Sequence, residues 1–222
     1  MRKLYTLLFL SIISIGFSQN SEWTYLFDGS SMDGWHQYNS DKMSSAWSIE
    51  DGELVLDSND DNLSRGNDIV TEKSYTNFEL SLEWKVPKGG NSGVFFMVVE
   101  IPEVDAPWKT GPEIQVLDNE NFVGPNTLYH QAPSLYDMKP IGKINYNPYG
   151  EWNHLVLKVD HNNNLGSITF NGEFVYSFPL SGQEWDKMVG RSKFSDDKYY
   201  DGLVPVHPYF TYAPFFGKFK TG

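Results

Sequence analysis

The sequence predicts an all-β protein in which two antiparallel sheets pack as a sandwich or jelly roll. Three observations predict it. Apolar residues recur with period two along most of the chain, Asn-Gly and Asp-Gly pairs separate such runs, and helical periodicity is almost absent. The clearest run is Phe78-Glu79-Leu80-Ser81-Leu82-Glu83-Trp84-Lys85-Val86, where apolar and polar residues alternate without a break, the pattern of a strand with one buried face. Leu155, Leu157 and Val159 alternate in the same way with His154, Val156 and Lys158. Asn171-Gly172 separates Ile168-Thr169-Phe170 from Phe174-Val175-Tyr176, and Asp51-Gly52 separates Trp47-Ser48-Ile49 from Leu54-Val55-Leu56. Both residues of such a two-residue turn take positive φ, which Asn, Asp and Gly tolerate. Further strands are expected at 22–27, 93–100, 113–117 and 127–131, and one short helix around 184–189. No linker, low-complexity run or repeat divides the chain, and its 222 residues form one domain of two packed layers.

Composition narrows the function. Aromatic residues make up 16% of the chain, which suits strands and also surfaces that stack on sugar rings. With 17 basic against 29 acidic residues the net charge is −12, which argues against nucleic acid and anionic lipid as partners. The absence of cysteine excludes disulfides, thiol catalysis and Cys-ligated zinc. Arg2 and Lys3 precede an apolar run at 4–17 that is shorter than the ~20 residues a membrane span needs. Gly16 and Ser18 complete the pattern of a secretory signal cleaved after Ser18. The expectation is a signal peptide at 1–18 and a single domain at 19–222, exported to the periplasm or cell envelope of a bacterium, with no span in the mature chain.

The segment most suggestive of chemistry is Trp108-Lys109-Thr110-Gly111-Pro112-Glu113-Ile114-Gln115-Val116-Leu117-Asp118. On a strand, Glu113 and Gln115 share one face while Ile114 and Val116 fill the core. A bulge near Leu117 would bring Asp118 onto the face of Glu113, giving two carboxyl groups that can divide acid and base roles. The alternative is a solvated edge strand running into an acidic turn. Asn91, after Gly89-Gly90, stands at the entrance of a strand that ends at Glu100, where it can bond a sugar hydroxyl or simply form a turn. His130, in Tyr129-His130-Gln131-Ala132-Pro133, is a candidate base at a strand end, or a surface histidine. Trp152 is a candidate sugar platform, or core. Zinc-type His-Glu spacing, an EF-hand, a P-loop, a dinucleotide fingerprint and a Gly-x-Ser-x-Gly elbow are all absent.

Leu26-Phe27-Asp28-Gly29-Ser30-Ser31-Met32-Asp33-Gly34-Trp35 resembles the opening of the 3-keto-disaccharide hydrolase domain family. The likeness continues through Asp51-Gly52-Glu53-Leu54, Asn91-Ser92-Gly93-Val94, Gly111-Pro112-Glu113-Ile114-Gln115-Val116-Leu117-Asp118, Gly150-Glu151-Trp152-Asn153 and Asn171-Gly172. The resemblance implies a concanavalin-like jelly roll, related to laminarinase-type glucanases, in exported bacterial proteins that process oxidised glycosides. The Glu113, Gln115, Asp118 spacing is similar to the Glu-x-Asp-x-x-Glu run of those glucanases. An amide replaces the middle carboxylate, so their double displacement does not carry over. The family pattern continues past a segment like Gly217-Lys218-Phe219-Lys220-Thr221-Gly222 into a further strand, so this sequence is expected to be either truncated or without that strand, and a sheet lacking it to have an exposed edge and lower stability. The stretch 202–214 also looks longer than the family pattern.

For a 3-keto-glycoside the resemblance implies removal of the acidified C2 proton, β-elimination of the anomeric substituent, and hydration of the resulting enone. Glu113 or His130 is then expected as base, Gln115 or Lys109 as donor to the enolate oxygen, and Asp118 as acid or orienting group. Asn91, Glu100, Trp108, Lys109, Gln115 and Trp152 are the expected substrate contacts. A divalent cation held by some combination of Glu100, Glu113, Asp118 and His130 is an alternative to the donors. The rival reading is a carbohydrate-binding, lectin-like module without catalysis, which needs only aromatics and amides; a third is a scaffold using an aromatic face. If Glu113, Asp118 and His130 point to different surfaces, the enzyme reading loses most of its support. The export expectation has a direct check. N-terminal sequencing of the exported protein should begin at Gln19, and full-length chain in the membrane fraction would contradict it.

Overall fold

The period-two runs become strands in the register that their apolar faces require. The computed structural model describes residues 23–57 and 67–196, together with the strands at 209–211 and 215–221. The expected leader at 1–18 and most of the 202–214 stretch lie outside the described residues. In chain order the first seven strands are β1 (Trp23–Tyr25), β2 (Trp35–Gln37), β3 (Trp47–Glu50), β4 (Glu53–Leu56), β5 (Ile69–Thr71), β6 (Phe78–Trp84) and β7 (Asn91–Val98). Then follow β8 (Glu113–Leu117), β9 (Asn153–Asp160), β10 (Leu165–Phe170), β11 (Glu173–Phe178), the helix α1 (Gln183–Val189), β12 (Tyr209–Thr211) and β13 (Phe215–Thr221).

The larger sheet runs β11-β10-β9-β6-β13-β4-β3, with β1 also paired to β13. Leu80 faces Leu157 and Leu82 faces Leu155 across β6 and β9, and Ile168 of β10 faces Leu157 in turn. These side chains, with Phe78, Trp84 and Phe170, form one buried face. Fully burying a side chain of this size contributes roughly 1.5–3 kcal/mol. The two predicted hairpin turns form with positive φ at both residues: +49° and +81° at Asp51 and Gly52, +48° and +82° at Asn171 and Gly172. The segment 215–221 is an interior strand of this sheet, between β6 on one side and β4 and β1 on the other.

The smaller sheet, β12-β7-β8, packs on that buried face. Val94, Phe96, Ile114 and Val116 point into the sandwich, where Phe96 meets Phe178 of β11 with ring centres 5.9 Å apart. Phe95 takes the opposite face. Met97 adopts φ +58°, a kink that breaks the alternation and brings Val98 to the side of Phe95. There Phe95 and Val98 pack with Val70 of β5 and with Tyr38, the residue after β2; β2 and β5 pair as a two-stranded ribbon. The ribbon is a third layer laid over the outer face of the smaller sheet, and the candidate site lies beside it.

One expected strand does not form. Residues 127–131 are a turn in which the main-chain amides of His130 and Gln131 both donate to the Thr127 carbonyl, at 2.7 and 3.1 Å. The segment lacks apolar alternation and runs into Pro133, which has no amide for a ladder. The expected short helix is present as α1. No helix among the described residues is long and apolar enough to cross a membrane.

Candidate active site

Glu113 opens β8 directly after Gly111-Pro112. A side chain at Gly111 would collide with the Phe96 carbonyl, whose oxygen lies 2.6 Å from where a Cβ would stand, so the chain can enter the strand this close to β7 only with glycine there. Register sets Glu113 opposite Phe95, on the outer face of the smaller sheet, and Gly93 lies on that same face. A Cβ at Gly93 would overlap the Glu113 carboxyl group, which therefore lies across bare backbone. Burial pushes this carboxyl up to about 8; the charge of Lys193 pulls it down and that of Asp68 pushes it up. Asp68 precedes β5 in the ribbon, and burial pushes its carboxyl to about 6 against a smaller lowering by its own amide. Lys193 begins the 3-10 turn Lys193–Asp196 that follows α1. Its ammonium lies 4.3 Å from the centre of the Tyr136 ring and 5.0 Å from that of Trp108. The Tyr136 amide donates to the Glu113 carbonyl at 2.9 Å, fixing that ring beside the strand. The Tyr136 hydroxyl is pushed up by burial and by the charges of Glu113 and Asp137. Two carboxyl groups raised to different extents are thus present, and the charges of Asp68 and Lys193 both act on the half-buried Glu113.

The other sequence candidates are distributed more widely. Asp118 does not join Glu113: β8 is regular as far as Leu117, opposite Asn91, and the Asp118 carboxylate is buried in the following turn. Its oxygens accept from the amides of Gly89 at 2.8 Å and of Glu120 and Asn121 at 3.2 Å, and from the Asn121 side chain at 3.2 Å. Burial opposes its ionisation, but these donors outweigh it and hold the carboxyl below its usual range. Gln115 is buried, and its side-chain oxygen accepts from the adjacent Val116 amide at 3.0 Å, leaving it bound to its own strand. His130 lies 3.3 Å through Nε2 from Asp137 and 2.9 Å through Nδ1 from the Thr127 hydroxyl. Asn91 is exposed at the start of β7. Glu100 accepts from the Asn39 amide at 2.7 Å and lies 3.0 Å from His36 Nε2, tying the end of β7 to the ribbon. Lys109 pairs with Asp105 at 2.6 Å. Trp152 packs under the ammonium of Lys85, which also reaches Glu53, on the outer side of the larger sheet and away from Glu113. Glu113, Asp118 and His130 therefore form no common set. Among the described residues no group of three or more His, Asp or Glu converges as cation ligands, so Glu100, Glu113, Asp118 and His130 do not make the expected cation site.

The sequence profile of the 3-keto-alpha-glucoside-1,2-lyase-like domain matches residues 22–199, most of the chain. The chain belongs to this family. A 3-keto-disaccharide hydrolase of Bacteroides thetaiotaomicron is 35% identical in an alignment 191 residues long that covers 78% of this chain and 64% of that relative. The chain thus spans less than two thirds of the relative's length. The crystal structure of a candidate glycosyl hydrolase from Parabacteroides distasonis superposes with a TM-score of 0.78 at 28% identity, covering 90% of this chain and 94% of the other. A Bacillus licheniformis beta-glucanase superposes with a TM-score of 0.50 at 10% identity, covering 92% and 99%, a likeness of fold alone. The jelly roll expected for a 3-keto-alpha-glucoside-1,2-lyase-like domain is thus the fold observed.

Sequence reasoning missed Asp68 and Lys193. Asp68 lies in none of the segments that carry the family resemblance. The signal that could have found it is an acidic residue two positions before Val70, hence on the buried face of a short apolar strand. Lys193 is remote from β8 in sequence, and its charge acts on Glu113 only because the chain returns after α1. The structural role of Asp118 is testable. Asp118→Ala should lower unfolding free energy by about 2–3 kcal/mol, the value of hydrogen bonds to a charged group, while leaving turnover within a few-fold. Because its folded-state carboxyl is depressed, the Asp118 contribution is present above the unfolded value and lost as pH falls through the lower folded one. Denaturant titrations at neutral and acid pH, alongside turnover assays, check both points.

Proposed function

We propose that this chain is a carbohydrate-active enzyme that cleaves 3-keto-glycosides by elimination and hydration. The observation that carries the reading is Glu113, laid across Gly93 on the outer face of the smaller sheet and acted on by the charges of Asp68 and Lys193. Near neutral pH two carboxyl groups at about 6 and about 8 hold one proton between them, chiefly on Glu113, and one charge, chiefly on Asp68. Asp68 takes the C2 proton, and the Lys193 ammonium faces the enolate oxygen as negative charge develops there. Glu113 gives its proton to the departing glycosidic oxygen as the C1–O bond breaks and the C1–C2 double bond forms. In the second half Glu113, now ionised, accepts a proton from the water that adds to C1, and Asp68 returns its proton to C2. The pair ends in its starting state, and no oxocarbenium ion is formed. Membership of the 3-keto-alpha-glucoside-1,2-lyase-like family and the name of the Bacteroides thetaiotaomicron relative support this substrate class. Export to the bacterial envelope, from the leader pattern at 1–18, belongs to the same proposal.

A binding module has no use for a desolvated carboxyl pair, and substitution separates the two readings. Glu113→Gln should lower turnover of 3-keto-glucosides by about 10²–10⁴, the usual cost of losing an acid or base, while binding persists. Unoxidised parent glucosides should not be cleaved by either protein. The kcat/KM profile should be a bell with limbs near 6 and 8 that belong to the pair as a unit. Glu113 is raised from an ordinary 4.5, so the stability it contributes is complete below that value and is lost as pH rises toward about 8. Glu113→Gln should therefore unfold at a higher temperature than the parent at pH 8. Full activity of the variant on a verified keto-glycoside would remove Glu113 from the mechanism.

A further inference from the structure

Lys193 is held from two directions. Its ammonium lies among three rings, 4.3 Å from the centre of Tyr136 and 5.0 Å from those of Trp108 and Phe194. Its main-chain amide donates to Asp137 Oδ2 at 2.7 Å. The other Asp137 oxygen lies 3.3 Å from His130 Nε2, and the His130 ring packs against Tyr136 with centres 5.0 Å apart. The Asp137 amide donates to the Tyr129 carbonyl at 2.9 Å. Asp137 itself adopts φ +58°, a left-handed conformation uncommon outside glycine and tolerated best by Asn and Asp. The proposed chemistry gives no proton or charge to Asp137 or His130, yet these contacts join the 127–138 turns to the segment that carries Lys193.

We propose that Asp137 is a positioning residue: its carboxylate fixes the main chain at Lys193 so that the ammonium stays within the ring cage facing Glu113, and His130 braces that carboxylate from behind. The inference rests on the reading that Lys193 serves the Glu113–Asp68 pair. A four-residue 3-10 turn is too short to hold a long, flexible side chain unaided, and a hydrogen bond to an ionised acceptor is the strongest main-chain anchor available to it. His130, expected from the sequence as a base, is reassigned to this supporting role.

The groups whose charges act on Glu113 are Lys193 from the segment after α1 and Asp68 from the ribbon; Tyr136 and Asp137 follow on the adjoining turn. This makes the sign of one measurement diagnostic. Removing Asp137 as a mere negative charge would lower the Glu113 ionisation midpoint. Removing it as the anchor of Lys193 would raise the midpoint, because the favourable ammonium is released. The experiment is a ¹³C NMR titration of the full chain labelled at glutamate carboxyl carbons, without substrate, with the Glu113 signal assigned through Glu113→Gln. Lys193→Met should raise the midpoint, and Asp137→Gly, which suits the left-handed backbone, should raise it in the same direction. Asp137→Asn keeps an oxygen that can accept from the Lys193 amide and should restore a midpoint at or below that of the parent. In a Lys193→Met background, Asp137→Gly should produce no further rise. If Asp137→Gly does not fold, Asp137→Ala removes the same carboxylate and answers the same question. A fall or no change on losing Asp137, or no rise in Lys193→Met, overturns the proposal. No turnover is read, so this outcome is independent of whether 3-keto-glycosides are the substrates.

Discussion

The placement of one carboxyl group across one glycine sets the conditions for the rest of the site. Glu113 can lie on the outer face of the smaller sheet only because Gly93, on the neighbouring strand, presents no side chain there. That placement depends in turn on the register of β7 and β8, which the buried row Val94, Phe96, Ile114 and Val116 fixes against the larger sheet. A slip by one residue would exchange the core face with the face that carries Glu113 along the whole strand. The ribbon of β2 and β5 then adds the desolvation, covering the outer face with Tyr38 and Val70 and bringing Asp68 near Glu113. Packing that stabilises the sandwich and desolvation that tunes the carboxyl pair are therefore one arrangement seen from its two faces.

Legibility in the sequence followed the range of the interactions concerned. The alternation at 78–86 and the turns at Asp51-Gly52 and Asn171-Gly172 are decided by neighbours along the chain, and those elements form as the pattern predicts. Glu113 was legible for the same reason, since alternation with Ile114 and Val116 states which face it takes. Asp118 was misplaced because a bulge and an Asx-type turn read alike in sequence, and the Gly89, Glu120 and Asn121 amides that claim its carboxylate come together only in the fold. Thr127–Gln131, expected as a strand, instead closes the His130 and Gln131 amides on the Thr127 carbonyl. Asp68 and Lys193 meet Glu113 from elements more than forty residues away on either side, and no local pattern encodes such a meeting.

The likeness of fold to a beta-glucanase carries no chemistry with it, because function resides in the site rather than in the scaffold. In retaining glycosidases two carboxyl groups share one sugar and a covalent intermediate forms. Here Asp118 is committed to main-chain amides and Gln115 to its own strand, so of the three spaced residues only Glu113 is left to serve in the proposed chemistry. Its partner comes from the ribbon instead. The arrangement also lowers stability locally: a carboxyl raised to about 8 destabilises the folded state at neutral and alkaline pH. Functional sites commonly trade stability for reactivity in this way.

The central claim is that bond cleavage begins with loss of the C2 proton, made feasible by the carboxyl pair beside Lys193. The measurement that tests it most directly follows a 3-keto-glucoside deuterated at C2 through a single round of cleavage. The account predicts a primary isotope effect on kcat/KM and a keto-sugar product in which C2 deuterium has exchanged with solvent faster than in enzyme-free controls, with both lost in Asp68→Asn. An isotope effect of unity, with the deuterium retained at C2 in the released sugar, would mean that the glycosidic bond breaks without C2 deprotonation and would contradict the account.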